Sequence, residues 1–256
     1  MLTARAAVAE IYIAPMPERI ALAGAVVIGK VVEIEKKPVV TTPYEGAKDK
    51  QEHLVAVIKI DETLIGDKGL THLRLGVHVP PDQEKRRRTL LPVNFAVGFE
   101  GCFVLKPHHE ENFLVPDGYY AVIQKLDASN FEKLVQPVRR SVKLLADPQA
   151  GLQAKNADDR FLTAAMLMVR YRQGGGRTEP IAAEESKLIL KALRDADWTR
   201  PTHEVYARGM FARLGLQPAD GWTPPKEIKQ YDAAAKAWLD KNADTYRIQR
   251  YVADKK

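Results

Sequence analysis

Thr71-His72-Leu73-Arg74-Leu75-Gly76-Val77-His78-Val79 decides how the first half of this chain folds. Leu73, Leu75, Val77 and Val79 fall on one side, and His72, Arg74, Gly76 and His78 on the other. Period two is the repeat of a strand with one buried face. Upstream, Ile65-Gly66-Asp67-Lys68-Gly69 has the glycines and aspartate of a hairpin turn. Before that turn, Leu54–Leu64 (LVAVIKIDETL) reads as the partner strand, with Ala56, Ile58 and Ile60 on one side.

Further out, Ala25–Glu35 (AVVIGKVVEIE) is rich in β-branched residues, which favours a strand. Its apolar side is expected at Val26, Ile28, Val32 and Ile34, with Glu33 and Glu35 opposite. Pro17–Ala23 suits a short helix with proline at its first position. Ile11–Ile13 suits a short strand. Gly101–Lys106 and Tyr119–Gln124 predict two more strands, joined by a loop over Pro107–Gly118. Lys36–Glu52 and residues 80–92 read as loops. Five strands and one short helix, closing near residue 126 without any βαβ spacing, favour a small barrel or sandwich over a parallel sheet.

The period changes at Asp127. Ser129-Asn130-Phe131-Glu132 has the form of a capping box, and Leu134, Val135, Val138, Val142 and Leu145 then recur at helical spacing. Pro137 predicts a break near Gln136. Asp158–Gln173 is apolar nearly all round, as expected of a helix buried on several sides, with Asn156 or Asp158 as its cap. Further helices are expected over Ala182–Ala196, His203–Leu214 and after Pro225, while Tyr246–Val252 reads as either a terminal strand or a frayed helix end. The expected fold is α+β. A small antiparallel OB-like barrel over residues 10–126 is followed by an α-helical domain over 127–256 packed on it.

Composition narrows the chemistry. The 256 residues are 45% hydrophobic and 28% charged, ordinary for a globular chain. No window reaches the roughly 18 uninterrupted apolar residues of a membrane-spanning helix. A single cysteine, Cys102, excludes an intrachain disulfide and a multi-cysteine metal site. It lies in an apolar run, where a free thiol is usually a core residue. The net charge of +6 is mild, with one dense run at Lys85-Arg86-Arg87-Arg88. That run reads as a solvated loop or, more sharply, as a polyanion contact together with Arg139 and Arg140. Ala7-Val8-Ala9 has the small-x-small form of an export cleavage site, but no apolar segment precedes it. A periplasmic or secreted place is therefore set against a cytoplasmic one.

His108-His109-Glu110-Glu111 is the one cluster with metal-ligand chemistry. Neighbours on an extended chain point apart and no HExxH spacing accompanies them, so His72, His78 or a distant carboxylate would have to converge. His72 and His78 share a strand face about 20 Å apart, too far to share an ion. There is no Gly-x-Ser-x-Gly elbow and no phosphate loop. Gly174-Gly175-Gly176 follows a helix and terminates it. Trp198, Trp222 and Trp238 belong to the helical half, and Trp222, in Asp220–Pro225, reads as the candidate surface aromatic.

The order AGAVVIGKVVEIE (23–35), VAVIKIDETLIGDKG (55–69), THLRLGV (71–77), GCFVLKP (101–107) and YYAVI (119–123) resembles the netrin/TIMP-like OB-fold modules of uncharacterised bacterial envelope proteins. The resemblance covers roughly residues 11–126. The helical half, from Arg160-Phe161-Leu162-Thr163-Ala164 through Glu184–Lys187, is similar to companion regions in planctomycete-type proteins of unknown function. The resemblance implies a barrel and export. Metalloproteinase inhibitors of that class begin with a zinc-binding cysteine and carry several disulfides. Neither is present here, so inhibition is not carried over.

The leading expectation is a non-enzymatic binding or interaction protein of the envelope, with no cofactor, whose partner is another envelope protein or a polyanion. A polyanion- or nucleic-acid-binding OB module is the alternative. A metal-dependent enzyme using His108 and His109 is the third reading.

Overall fold

The computed structural model describes residues 14–78, 95–118, 121–200 and 204–252. Helix α1 (Met16–Leu22) leads into β1 (Ala25–Ile34), β2 (Val39–Thr41), β3 (Gln51–Ile65), β4 (His72–His78), β5 (Glu100–Pro107), β6 (Leu114–Pro116) and β7 (Val122–Gln124). Five of these close into a ring in the order β1-β3-β4-β6-β5, with β5 pairing back to β1. This is the closed arrangement of an OB-like barrel. The fold is α+β, as expected.

The barrel is mixed, not purely antiparallel. A ring of five strands cannot alternate direction all the way round, so one contact must be parallel. That contact is β4 with β6, at Leu75 opposite Leu114. The closing strand also differs from expectation. Leu114–Pro116, inside the segment read as a loop, completes the ring, whereas β7 pairs with β5 further along the same edge.

β1 is apolar on both faces because it has two cores to serve. Val27 and Val31 point into the barrel with Ala56, Ile58, Leu73, Leu75 and Phe103. Val26 instead joins the helices. Three register shifts against β3 bend β1 around the barrel. At Gly29 the strands pass so close that a β-carbon would stand 2.3 Å from the Lys59 carbonyl oxygen.

The helical half comprises α2 (Ala128–Ala146), α3 (Pro148–Leu152), α4 (Ala157–Tyr171), α5 (Ala183–Arg194), α6 (Ala207–Arg213) and α7 (Tyr231–Asn242). β8 (Thr178–Pro180) pairs with β9 (Gln249–Tyr251), so the alternating C-terminal segment is a strand. Two local expectations for α2 are corrected. Its cap is Asp127, whose carboxylate accepts from the Asn130 amide at 2.8 Å, so the helix begins ahead of Ser129. It also runs through Pro137 without a break. The bond that proline removes would have ended on the carbonyl of exposed Lys133, where water can replace it.

The two halves share a core. Ile20 and Ala21 of α1, Val26 of β1, Cys102 and Val104 of β5, Phe131, Val135 and Val138 of α2, and Met166 and Val169 of α4 form one buried cluster. Separating them would expose several large side chains, each worth about 1.5–3 kcal/mol. Polar ties follow the same line. Arg170 Nε donates to the Ala21 carbonyl at 2.8 Å, and Arg213 pairs with Glu18 at 2.6 Å. Among the described residues no helix is long and apolar enough to cross a membrane.

Candidate functional site

The chemistry-bearing residues gather on the outer face of β3 and β4. Period two sends Ala56 and Ile58 inward, so His53 and Val57 face outward beside Arg74, Gly76 and His78. His53 stands directly opposite His78 in the register, with ring centroids 5.9 Å apart. The β5–β6 connection folds over this face and adds His108, whose ring lies 5.6 Å from His53. Phe113 packs 4.8 Å from His108 and 5.6 Å from His53.

Hydrogen bonds tie this connection to the β1–β3 connection. His108 Nε2 lies 3.1 Å from the Thr42 carbonyl oxygen, which can only accept. His108 Nδ1 accepts the amides of Glu110 and Glu111, both at 3.2 Å. These partners assign His108 as the neutral imidazole with its proton on Nε2. The Glu110 carboxylate accepts from the Thr41 hydroxyl, from the Thr42 hydroxyl at 2.8 Å and from the Thr42 amide at 3.3 Å. Those bonds, Thr41 first, hold the Glu110 carboxyl down at about 2. His109 Nε2 completes the clamp at 2.8 Å from Thr42 Oγ1. At the far end, Arg74 grips Glu35 at 2.7 and 2.9 Å and donates to the Asn112 carbonyl at 3.3 Å.

His108 and His109 are thus clamp residues, and both ring nitrogens of His108 are engaged. His53, which the sequence did not single out, stands between His78 and His108 and meets the ring of each. Nδ1 of His53 and Nδ1 of His78 are enclosed without a hydrogen-bond partner. Burial first, then the neighbouring His108 and His78 imidazoles, push His53 below the usual histidine value. Among the described residues, no three histidine, cysteine or carboxylate groups are arranged to hold a metal ion. Beside the clamp lies a cavity of about 420 Å³, lined by Val57, Leu70, His72, Arg74, Phe113 and Leu114 among others.

Lys85, Arg86, Arg87 and Arg88 lie outside the described residues, as do Ile11–Ile13 and Ala7–Ala9. Arg139 is paired with Glu62 and Glu132, and Arg140 with Asp159, so both charges are already answered. Trp222 is a correction: it is 8% exposed, with its ring 4.8 Å from Phe211 and 5.6 Å from Tyr231. It is a core residue because those neighbouring aromatics close over it. Trp198 and Trp238 are buried in the same cluster. Cys102 is fully buried, and burial pushes its thiol up to about 12. A second cleft, of about 680 Å³, is lined by Met16, Pro17, Lys133, Pro137, Leu162 and Val205 among others.

No protein-family model matches this chain and no curated protein matches it, so a functional reading stands on the barrel and the chemistry of its β3–β4 face.

Proposed function

We propose that this is a non-enzymatic binding or interaction protein whose ligand docks on the outer face of β3 and β4, between the β1–β3 and β5–β6 connections. In OB barrels the corresponding face and loops hold oligonucleotides and oligosaccharides. That support comes from the fold alone. The observation that carries the reading is the clamp. Thr41, Thr42, His108, His109 and Glu110 commit their polar atoms to fixing two loops against each other. Such a surface is pre-organised, which lowers the ordering cost of binding.

The cavity beside it mixes Leu70, Phe113 and Leu114 with His72, Arg74 and Glu111. Apolar floor and charges of both signs suit a glycan or a segment of another protein better than a polyanion. A place in the cell envelope goes with the netrin/TIMP-like resemblance and is part of the same proposal.

The test is to screen the full chain against a glycan array and single-stranded oligonucleotides, then to map any hit by amide chemical shifts. A hit is expected to move the amides of Leu70–Arg74 and Asn112–Leu114. A ligand mapping wholly to the helices, or one chemically altered by the protein, would overturn the reading.

A further inference from the structure

We propose that the edge of β4 at His72–Arg74 takes up an extended segment of another protein, which pairs there as an added strand and places an apolar side chain in the adjoining cavity. This pairing rests on the binding reading above and narrows its ligand to a peptide.

The direction of each backbone group in β4 follows from one bond. Ile60 N–H donates to the Thr71 carbonyl at 2.8 Å across the antiparallel β3–β4 ladder. From there the register runs unshifted, from Lys59 opposite His72 to His53 opposite His78. Alternate residues of a strand turn their N–H and C=O to opposite edges. Leu73, Leu75 and Val77 therefore bond to β3, whereas His72, Arg74, Gly76 and His78 offer their backbone groups to the other edge.

On that other edge β6 meets β4 at one position, Leu75 opposite Leu114. A parallel contact there engages the Arg74 C=O and the Gly76 N–H, which flank Leu75. It leaves the His72 N–H, the His72 C=O and the Arg74 N–H with no backbone partner among the described residues. The chain ahead of Leu114 does not cover them, because it crosses the outer face of the sheet instead of running beside His72. Phe113 lies over Gly76, and His108 reaches the Thr42 carbonyl.

The cavity of about 420 Å³ lies at this gap, with His72, Leu73 and Arg74 on one side and Pro107, Phe113 and Leu114 on the other. Leu70, at its rim, is 51% exposed. Donor, acceptor and donor at strand spacing match a second peptide backbone, and an adjoining pocket selects one of its side chains. Sugar hydroxyls do not carry that fixed alternation. The Arg74 guanidinium is already committed to Glu35 and to the Asn112 carbonyl, so the main chain and the apolar pocket carry recognition here.

Panning a displayed library of random linear peptides against the full chain supplies the probe, and amide hydrogen exchange reads the edge. In the free chain the His72 and Arg74 amides are expected to exchange about tenfold or more faster than those of Leu73 and Leu75, after correction for intrinsic rates. The enriched peptide is expected to slow both by about tenfold or more. Its N-methylation at alternate positions should raise Kd about tenfold or more, with little effect at the positions between. His72→Pro removes a donor that β3 does not use and should abolish binding while Leu73 and Leu75 stay protected. If that variant does not fold, the exchange and N-methylation series decide.

Protection of His72 and Arg74 in the free chain overturns the proposal, since the edge would already be covered by this chain or by a second copy. So does a library without an enriched peptide, a peptide that leaves those two amides unchanged, or N-methylation without alternation. A glycan that maps to Leu70–Arg74 when no peptide is enriched overturns the strand pairing alone and leaves the binding reading standing. A peptide that maps wholly to the helices overturns both.

Discussion

A β-carbon on Gly76 would come within 2.2 Å of Phe113 Cε2, so the β5–β6 connection rests its aromatic ring on bare backbone of β4. The requirement at Gly76 is room. Gly76→Ala is expected to destabilise the protein by about 1–3 kcal/mol, as over-packing does. Denaturant unfolding checks it. The double variant Gly76→Ala/Phe113→Leu should lose less than the sum of the two single changes.

The Glu110 clamp has its own acid limit. Bonds from Thr41, then Thr42, hold this carboxyl at about 2, against an ordinary value of 4.5. A lowered carboxylate stabilises the folded state above its unfolded value and loses that contribution as pH falls through the folded one. The clamp is therefore at full strength above about 4.5 and lost as pH drops toward about 2. Thr41→Val should raise the Glu110 midpoint toward 4.5, read from its carboxyl ¹³C shift.

Glu18 on α1 is 3% exposed, and its carboxylate meets Arg213 of α6 at 2.6 Å. Arg213→Ala removes this charge-assisted tie between α1 and α6 and is expected to lower stability by about 1–3 kcal/mol. Urea unfolding followed by Trp fluorescence and by far-UV circular dichroism should keep coincident transitions, because α1 belongs to a core shared by both halves.

With its thiol pushed up to about 12 and no exposed surface, Cys102 is inert in the native protein. At pH 8 the thiolate fraction is about one in ten thousand. A disulfide reagent should find no reactive thiol in the native chain and one equivalent in guanidinium chloride. Rapid native labelling would show that β5 separates readily from α2.

Several elements were legible because their signals are local. Period two in Thr71–Val79 gave β4, Ile65–Gly69 gave the turn before it, and the apolar run from Phe161 to Val169 gave the buried helix α4. Signals failed where three residues had to speak for a strand. Leu114–Pro116 is too short to show a period and contains a proline, yet it closes the barrel. Ser129 and Asp127 are both good caps two positions apart, and only the backbone decides between them. The metal-like run at His108–Glu111 was visible, but its role was not. Its partners, Thr41 and Thr42, lie 66 to 69 positions away.

The chain order alone established the long strands β1, β3, β4 and β5 and the main helices, though not the three-residue strands, and that one cysteine and six histidines bound its chemistry. Nearest neighbours encode those properties, through backbone propensity and the spacing of apolar side chains. Tertiary structure alone decided the parallel β4–β6 contact, which odd-numbered closure imposes, and the meeting of His53, His78 and His108. Register across strands moves every side chain to the opposite face with a one-residue slip. Whether a histidine is a ligand or a clamp therefore depends on pairing that no local stretch contains.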